Sequence, residues 1–210
     1  MKRVLIFCLV SLVAIGLCWS QEQLVIVTRT YEPVDQKRQR EVPVKVYLTE
    51  AEKPKPVILF SHGLGGSRDN NPYLGNHWSK AGYIVVFIQH IGSDNSVWKD
   101  VSIRERMTAL KKAANLQATM DRFADIPFVL DQLAKWNAQE DHFLYQKMDL
   151  DHIGMAGHSF GALTTQALMG QKFPRDRTVH DERIDAFTPM SPSIHNTMSP
   201  ADSFGEVQSP

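Results

Sequence analysis

Apolar residues along this chain gather in short runs separated by stretches of helical spacing. Leu24 to Tyr31 (LVIVTRTY) and Val42 to Leu48 (VPVKVYL) are β-branched and partly alternating, which predicts two strands. The charged stretch Glu32 to Glu41 predicts that they form an antiparallel pair joined by an exposed loop. Lys53 to Pro56 reads as a linker. Val57 to Phe60 (VILF) is continuously apolar, as expected of a strand covered on both faces. Asn71-Pro72 predicts a helix start with Asn71 as cap; Leu74, Trp78 and Ala81 follow at helical spacing, and Gly82 ends the helix. Tyr83 to Ile88 is a second buried strand. Arg104 to Met120 and Asp125 to Trp136 predict helices, and Val129, Leu130, Leu133 and Trp136 form one apolar stripe on the latter. His152 to Ala156 (HIGMA) is a third buried strand. A helix from Ala162 to Met169 follows, with Gly170 as its stop. Ile184 to Met190 predicts a fourth such strand, less favourable because of Pro189, and a Ser/Pro-rich tail comes after it.

Strands alternating with helices imply an α/β fold: a mostly parallel, doubly wound sheet with helices on both faces and an antiparallel strand pair at its start. Reacting groups in such sheets collect at the carboxyl ends of the strands. Two glycine-rich segments fall there, His62-Gly63-Leu64-Gly65-Gly66 and Gly157-His158-Ser159-Phe160-Gly161.

Composition narrows the compartment and the partners. The 210 residues carry 23 basic and 23 acidic side chains, so no basic face or acidic tail points to nucleic acid or an anionic membrane. Lys2 and Arg3 precede an almost wholly apolar Val4 to Leu17, and Ser20 precedes Gln21, the layout of a cleaved signal peptide over 1–20. A membrane anchor would need roughly 20 apolar residues, and a lipoprotein through Cys18 is disfavoured by the bulky Leu17. The expected product is one secreted or periplasmic domain over 21–210, with no stable membrane span. Both cysteines, Cys8 and Cys18, lie in the leader. The mature chain then has no thiol, which excludes a cysteine nucleophile, a thiolate metal site and a disulfide framework.

The segment around Ser159 has the G-x-S-x-G pattern of a nucleophile elbow, where a strand reverses into a helix and projects the serine hydroxyl. Gly157 and Gly161 flank it because side chains there would collide with neighbouring elements. The HGLGG segment sits where half of an oxyanion hole is expected. Its donors would be the backbone N–H groups of Leu64 and Phe160, and losing one such donor typically costs about 3–4 kcal/mol of transition-state stabilisation. A plain glycine turn or a phosphate loop is the alternative, but HGLGG lacks the G-x-G-x-x-G spacing and the GK[ST] ending. No cofactor or metal is expected; Asp149, Asp151 and His152 read as the polar lead-in to a strand. Nothing in the pattern specifies an oligomeric state.

VILFSHGLGG, YIVVFIQHIGSD, DIPFVLDQL and IGMAGHSFGA together resemble the α/β-hydrolase superfamily, in particular its branch similar to dienelactone hydrolases and platelet-activating-factor acetylhydrolases. The resemblance covers most of residues 24 to 192. It implies an eight-stranded fold and hydrolysis of carboxylic esters, from small molecules or lipids, through an acyl-enzyme on Ser159. In that fold the acid and then the histidine follow the serine, yet only one candidate strand follows Ser159. The chain is therefore expected to be C-terminally truncated, without its triad acid and histidine and with an open edge at Ile184. His158 should point away from the hydroxyl, and His62 reads as a loop-stabilising residue. His195 and Asp202 come in the wrong order, Asp185 lies at the wrong end of its strand, and Asp94 precedes the serine. His77, His90, His142, His152 and His180 read as loop or helix-surface residues. The alternative function is a non-catalytic binding protein, or an inactive fragment, that keeps the fold without turnover.

Overall fold

The β-branched runs pair into one six-stranded sheet. The computed structural model describes residues 24–174, 178–194, 198–205 and 207; the predicted leader and His195 lie outside these. Strand β1 (Ile26–Tyr31) is followed by a short hairpin, β2 (Val34–Asp35) and β3 (Arg40–Glu41), and then by β4 (Val44–Thr49) and β5 (Lys55–Ser61). Next come α1 (Pro72–Lys80), β6 (Ile84–Ile88), a 3-10 turn at Asn95–Val97, α2 (Ile103–Ala113) and α3 (Leu116–Ala138). The chain continues through β7 (Met148–His158), α4 (Phe160–Leu168), β8 (Ala186–Met190) and the short α5 (Pro200–Phe204). The sheet order is β1-β4-β6-β5-β7-β8. Strand β4 runs antiparallel to both of its neighbours, β1 and β6, and β6, β5, β7 and β8 run parallel.

Alternation along the strands divides the core by face. Val44, Val46, Leu59, Val86, Ile153 and Met155 meet the inner stripe of α3 and the buried side of α4. Tyr47, Phe60, Val85, Phe87 and Ala156 face α1, through Leu74 and Trp78. Gly75 lets α1 lie directly on the Tyr47 ring, which a Cβ at that position would strike. On this second face a hollow of about 450 Å³ remains beside Trp78, lined by Ile58, Gly154, Ala186 and Thr188. Strand β8 is the sheet edge, paired only with β7 among the described residues.

Several sequence expectations are corrected here. The helices expected at Arg104–Met120 and Asp125–Trp136 are instead α2 and one continuous α3. The break falls at Asn115, whose side chain accepts the Ala118 N–H and caps α3, because Asn competes well for the first free amides of a helix. Asn71 occupies the cap position of α1 but in a left-handed conformation without a side-chain cap. The loop from Glu32 to Glu41 is not simply exposed, since it contains the β2–β3 hairpin and sends Arg38 and Arg40 inward to Asp125. The Lys53–Pro56 linker already enters β5 at Lys55, and β8 begins at Ala186 rather than Ile184.

No helix among the described residues is long and apolar enough to cross a membrane. Leu133, wholly buried in the α3 stripe, provides a test of the core. Leu133→Ala should lower unfolding free energy by about 2–5 kcal/mol. Ile103→Ala, at an 81% exposed position of α2, should change it by less than about 0.5 kcal/mol. Urea denaturation of both variants checks the contrast.

Candidate functional site

Strand β7 ends and α4 begins at a single residue, Ser159, with φ 55° and ψ −112°. This is a strained conformation for a residue bearing a Cβ, held because its neighbours over-determine it. The Ser159 amide donates to Met190 O at the end of β8 (2.9 Å), and Leu163 N closes the first helical turn on Ser159 O (3.1 Å). A Cβ on Gly157 would strike the Gly161 carbonyl, and one on Gly161 would strike the Ser61 carbonyl. Ser159 itself is exposed. A Cβ placed on Gly63 would lie 3.6 Å from Ser159 Cβ, so the loop after β5 abuts the elbow.

That loop is fixed from several sides. Gly65 N donates to Ser93 O (2.8 Å), Gly66 N donates to Gly63 O (3.0 Å), and Trp98 Nε1 donates to Gly65 O (2.7 Å). Gly65 has φ +73° and its Cα faces Trp98 and Leu110, so a side chain is excluded on both counts. Among the described residues, no turn or loop hydrogen bond uses the Leu64 amide.

The histidines and acids weighed in the sequence fall as follows. His62 is 1% exposed; its Nδ1 lies 2.6 Å from Gly63 O, and its Nε2 accepts His90 N–H (3.1 Å). Accepting at Nε2 assigns the proton of the neutral ring to Nδ1, the donor to Gly63. Burial and the nearby Arg122 charge hold its pKa well below the usual imidazole range. His158 is exposed and adjoins Gly63. Asp94 is buried and accepts from Gln89 and Ser96. Asp185 accepts the Ile153 amide, at the opposite end of the sheet from Ser159. Asp202 is engaged with Ser199 in a capping box of α5. Among the described residues no hydrogen bond joins the Ser159 hydroxyl to a histidine.

His90 has most consequence: it lies in the loop after β6, as a loop residue should, but is fully buried there and without a role foreseen for it. Its Nδ1 meets Asp125 Oδ2 (2.9 Å) and its Nε2 meets Ser61 Oγ (2.9 Å). The trio reproduces the bonding order of a hydrolytic triad, but all three side chains are sealed from solvent, so no substrate reaches them. Asp125 is also held by Arg40 (3.0 and 3.1 Å) and Arg38 (2.8 Å). Burial alone would raise its pKa, yet hydrogen bonds and charge from His90 and Arg40 bring it down to about 2. Burial and the Arg122 charge lower His90 to about 4. Burial lowers Arg122 to about 9, so it stays charged at neutral pH. Sequence reasoning missed Ser61, Arg122, Asp125 and the two hairpin arginines. The available signal was that Arg122 and Asp125 share the face of α3 that carries Phe123, Ile126 and Val129.

A family model described as the alpha/beta hydrolase fold matches residues 56–209, well over half of the chain. The chain belongs to the α/β-hydrolase fold family. Among solved structures it is similar to a ferulic acid esterase from Streptomyces cinnamoneus, with TM-score 0.56 and 21% identity over 79% of this chain and 58% of that one. It is also similar to a protein from Klebsiella pneumoniae subsp. pneumoniae assigned as a dienelactone hydrolase, with TM-score 0.59 and 14% identity over 85% of this chain and 65% of that one. The chain thus spans less than two thirds of the length of either. No protein of curated function matches its sequence.

The buried histidine makes the fold acid-sensitive. The unfolded chain takes up this proton near pH 6.5, whereas folded His90 takes it up only at about 4. Protons therefore favour the unfolded state between these values. Stability from neutral His90 is complete above about pH 6.5, falls by at most ~1.4 kcal/mol per pH unit below it, and is exhausted near pH 4. Thermal melts from pH 7.5 to 4.5 should show this decline, with a shallower slope in His90→Gln; a wild-type melting temperature flat across the range would refute the assignment.

Proposed function

We propose that the protein hydrolyses carboxylic esters through an acyl-enzyme on Ser159. The observation that carries this reading is an exposed serine at positive φ, on a strand-to-helix elbow packed against a glycine loop. In the proposed reaction Ser159 Oγ bonds to the ester carbonyl carbon and its proton passes to a base. The resulting oxyanion accepts hydrogen bonds from the N–H groups of Leu64 and Phe160, which are preorganised and so need no rearrangement as charge develops. Collapse breaks the carbon–oxygen bond to the alcohol, which leaves carrying the proton. Water then attacks the acyl carbon, and the acid departs as Ser159 regains its hydrogen. The assignments of the two similar structures, a ferulic acid esterase and a dienelactone hydrolase, favour a small-molecule ester as substrate. The basic, apolar leader favours export, to the periplasm or beyond.

This chemistry needs a histidine base and a carboxylate to orient it, and no described histidine bonds to Ser159. We infer that turnover is impaired. An oxyanion hole with binding alone retains roughly 10³–10⁴-fold acceleration over water. The same observation favours a second reading, a binding protein that keeps the elbow without catalysis.

A fluorophosphonate probe separates the two. The ester-hydrolase reading expects slow, stoichiometric modification of Ser159, located by peptide mass spectrometry and abolished in Ser159→Ala. A folded wild-type chain that stays unmodified would support the binding reading instead.

A further inference from the structure

Arg122 lies on α3, far in sequence from both glycine segments, and is 0% exposed. Its Nη1 donates to His62 O (2.7 Å), its Nε donates to Ser93 Oγ (2.8 Å), and its Nη2 reaches Gly63 O (3.5 Å). On the other side its guanidinium carbon sits 4.4 Å from the centre of the Phe160 ring. We propose that Arg122 is a positioning residue for the two amides of the oxyanion site, tying the loop that carries Leu64 to the elbow that carries Phe160. This rests on the ester-hydrolase reading for its catalytic consequence, and on geometry alone for its structural one.

Two physical arguments lead there. The first is peptide planarity. Gly63 O and Leu64 N belong to one trans peptide group, so their C=O and N–H point in opposite directions. His62 Nδ1, Gly66 N and Arg122 all converge on that oxygen. Anchoring the oxygen inward turns the Leu64 N–H outward, and donors at the oxygen polarise the same peptide unit and strengthen its N–H as a donor. The second argument is charge. Burying a guanidinium is costly unless it is paired, yet among the described residues no carboxylate lies within 4 Å of Arg122. Asp125, one turn further along α3, is already engaged by Arg38, Arg40 and His90. A buried cation with no carboxylate in contact, its charge offset only at longer range by Asp125 and Asp94, leaves a positive field beside the Phe160 ring, at the place where an oxyanion would form. The ring contact adds a cation–π attraction that holds guanidinium and elbow together.

The test uses the full chain, ¹⁵N-labelled, as wild type, Arg122→Gln and Arg122→Lys. In Arg122→Gln, amide hydrogen exchange at Gly65 and Gly66, whose N–H groups are bonded within the loop, should speed up by roughly tenfold or more, while Leu59 and Val86 in the central strands keep their protection. The maximal rate of fluorophosphonate reaction at Ser159 should fall roughly ten- to a hundredfold, with the half-saturating probe concentration changed much less. Arg122→Lys, which keeps the charge but not the fork, should recover part of the rate; it also serves for the exchange measurement should the Gln variant not fold. Unchanged exchange at Gly65 and Gly66 in a folded variant would overturn the proposal, and so would an unchanged maximal labelling rate. A wild-type chain that is never labelled would instead defeat the ester-hydrolase reading, and exchange at Gly65 and Gly66 would still decide whether Arg122 orders the loop.

Discussion

The end of β5 and the start of α4 approach so closely that the Ser61 carbonyl occupies the space of any side chain at Gly161. This backbone-to-backbone contact sets the distance between the glycine loop and the elbow. It also explains the strain at Ser159: α4 cannot start one residue later or lean away without losing its seat against the β5 strand end. Gly157 relieves the same crowding from the other side, where its Cα faces the Gly161 carbonyl. With both glycines in place the serine is forced outward, and the parallel register of β5, β7 and β8 brings Ser61, Gly157 and Pro189 level at the sheet's reactive end.

Behind this contact lies a polar layer of a kind that protein interiors normally avoid. Asp125, His90, Ser61 and Arg122 are all sealed from solvent. Such groups contribute little net stability, because desolvation offsets most of their mutual attraction. What they supply is direction: each bond in the layer specifies one orientation of a backbone segment that apolar packing would leave adjustable. The layer joins α3, the β6 strand end and the glycine loop, the elements on which the reactive end of the sheet is built.

Much of this was legible in the sequence. Continuous apolar runs such as VILF and YIVVFI identified the central strands, because only strands covered on both faces lack alternation. The elbow and the glycine loop were legible because their conformations demand glycine at fixed spacing. The polar layer was not, for two reasons. His90 stands just after a strand among polar residues, where exposure is the ordinary expectation, and only the tertiary approach of α3 buries it. Arg38 and Arg40 lie in a charged stretch that resembles a solvated loop, and their partner Asp125 is more than eighty residues away. The extent of α3 was misjudged for a related reason, since Asp121 and Arg122 interrupt the apolar pattern with charge although Arg122 faces inward.

The β2–β3 hairpin has an implication for the chain's N-terminal fifth. Arg38 and Arg40 reach from that hairpin into the centre of the fold and satisfy one carboxylate of α3. The segment is thus a clasp rather than an appendage. A domain boundary drawn at residue 42 would remove both cations from that buried carboxylate and loosen the reactive end from behind, with every residue of the elbow still in place.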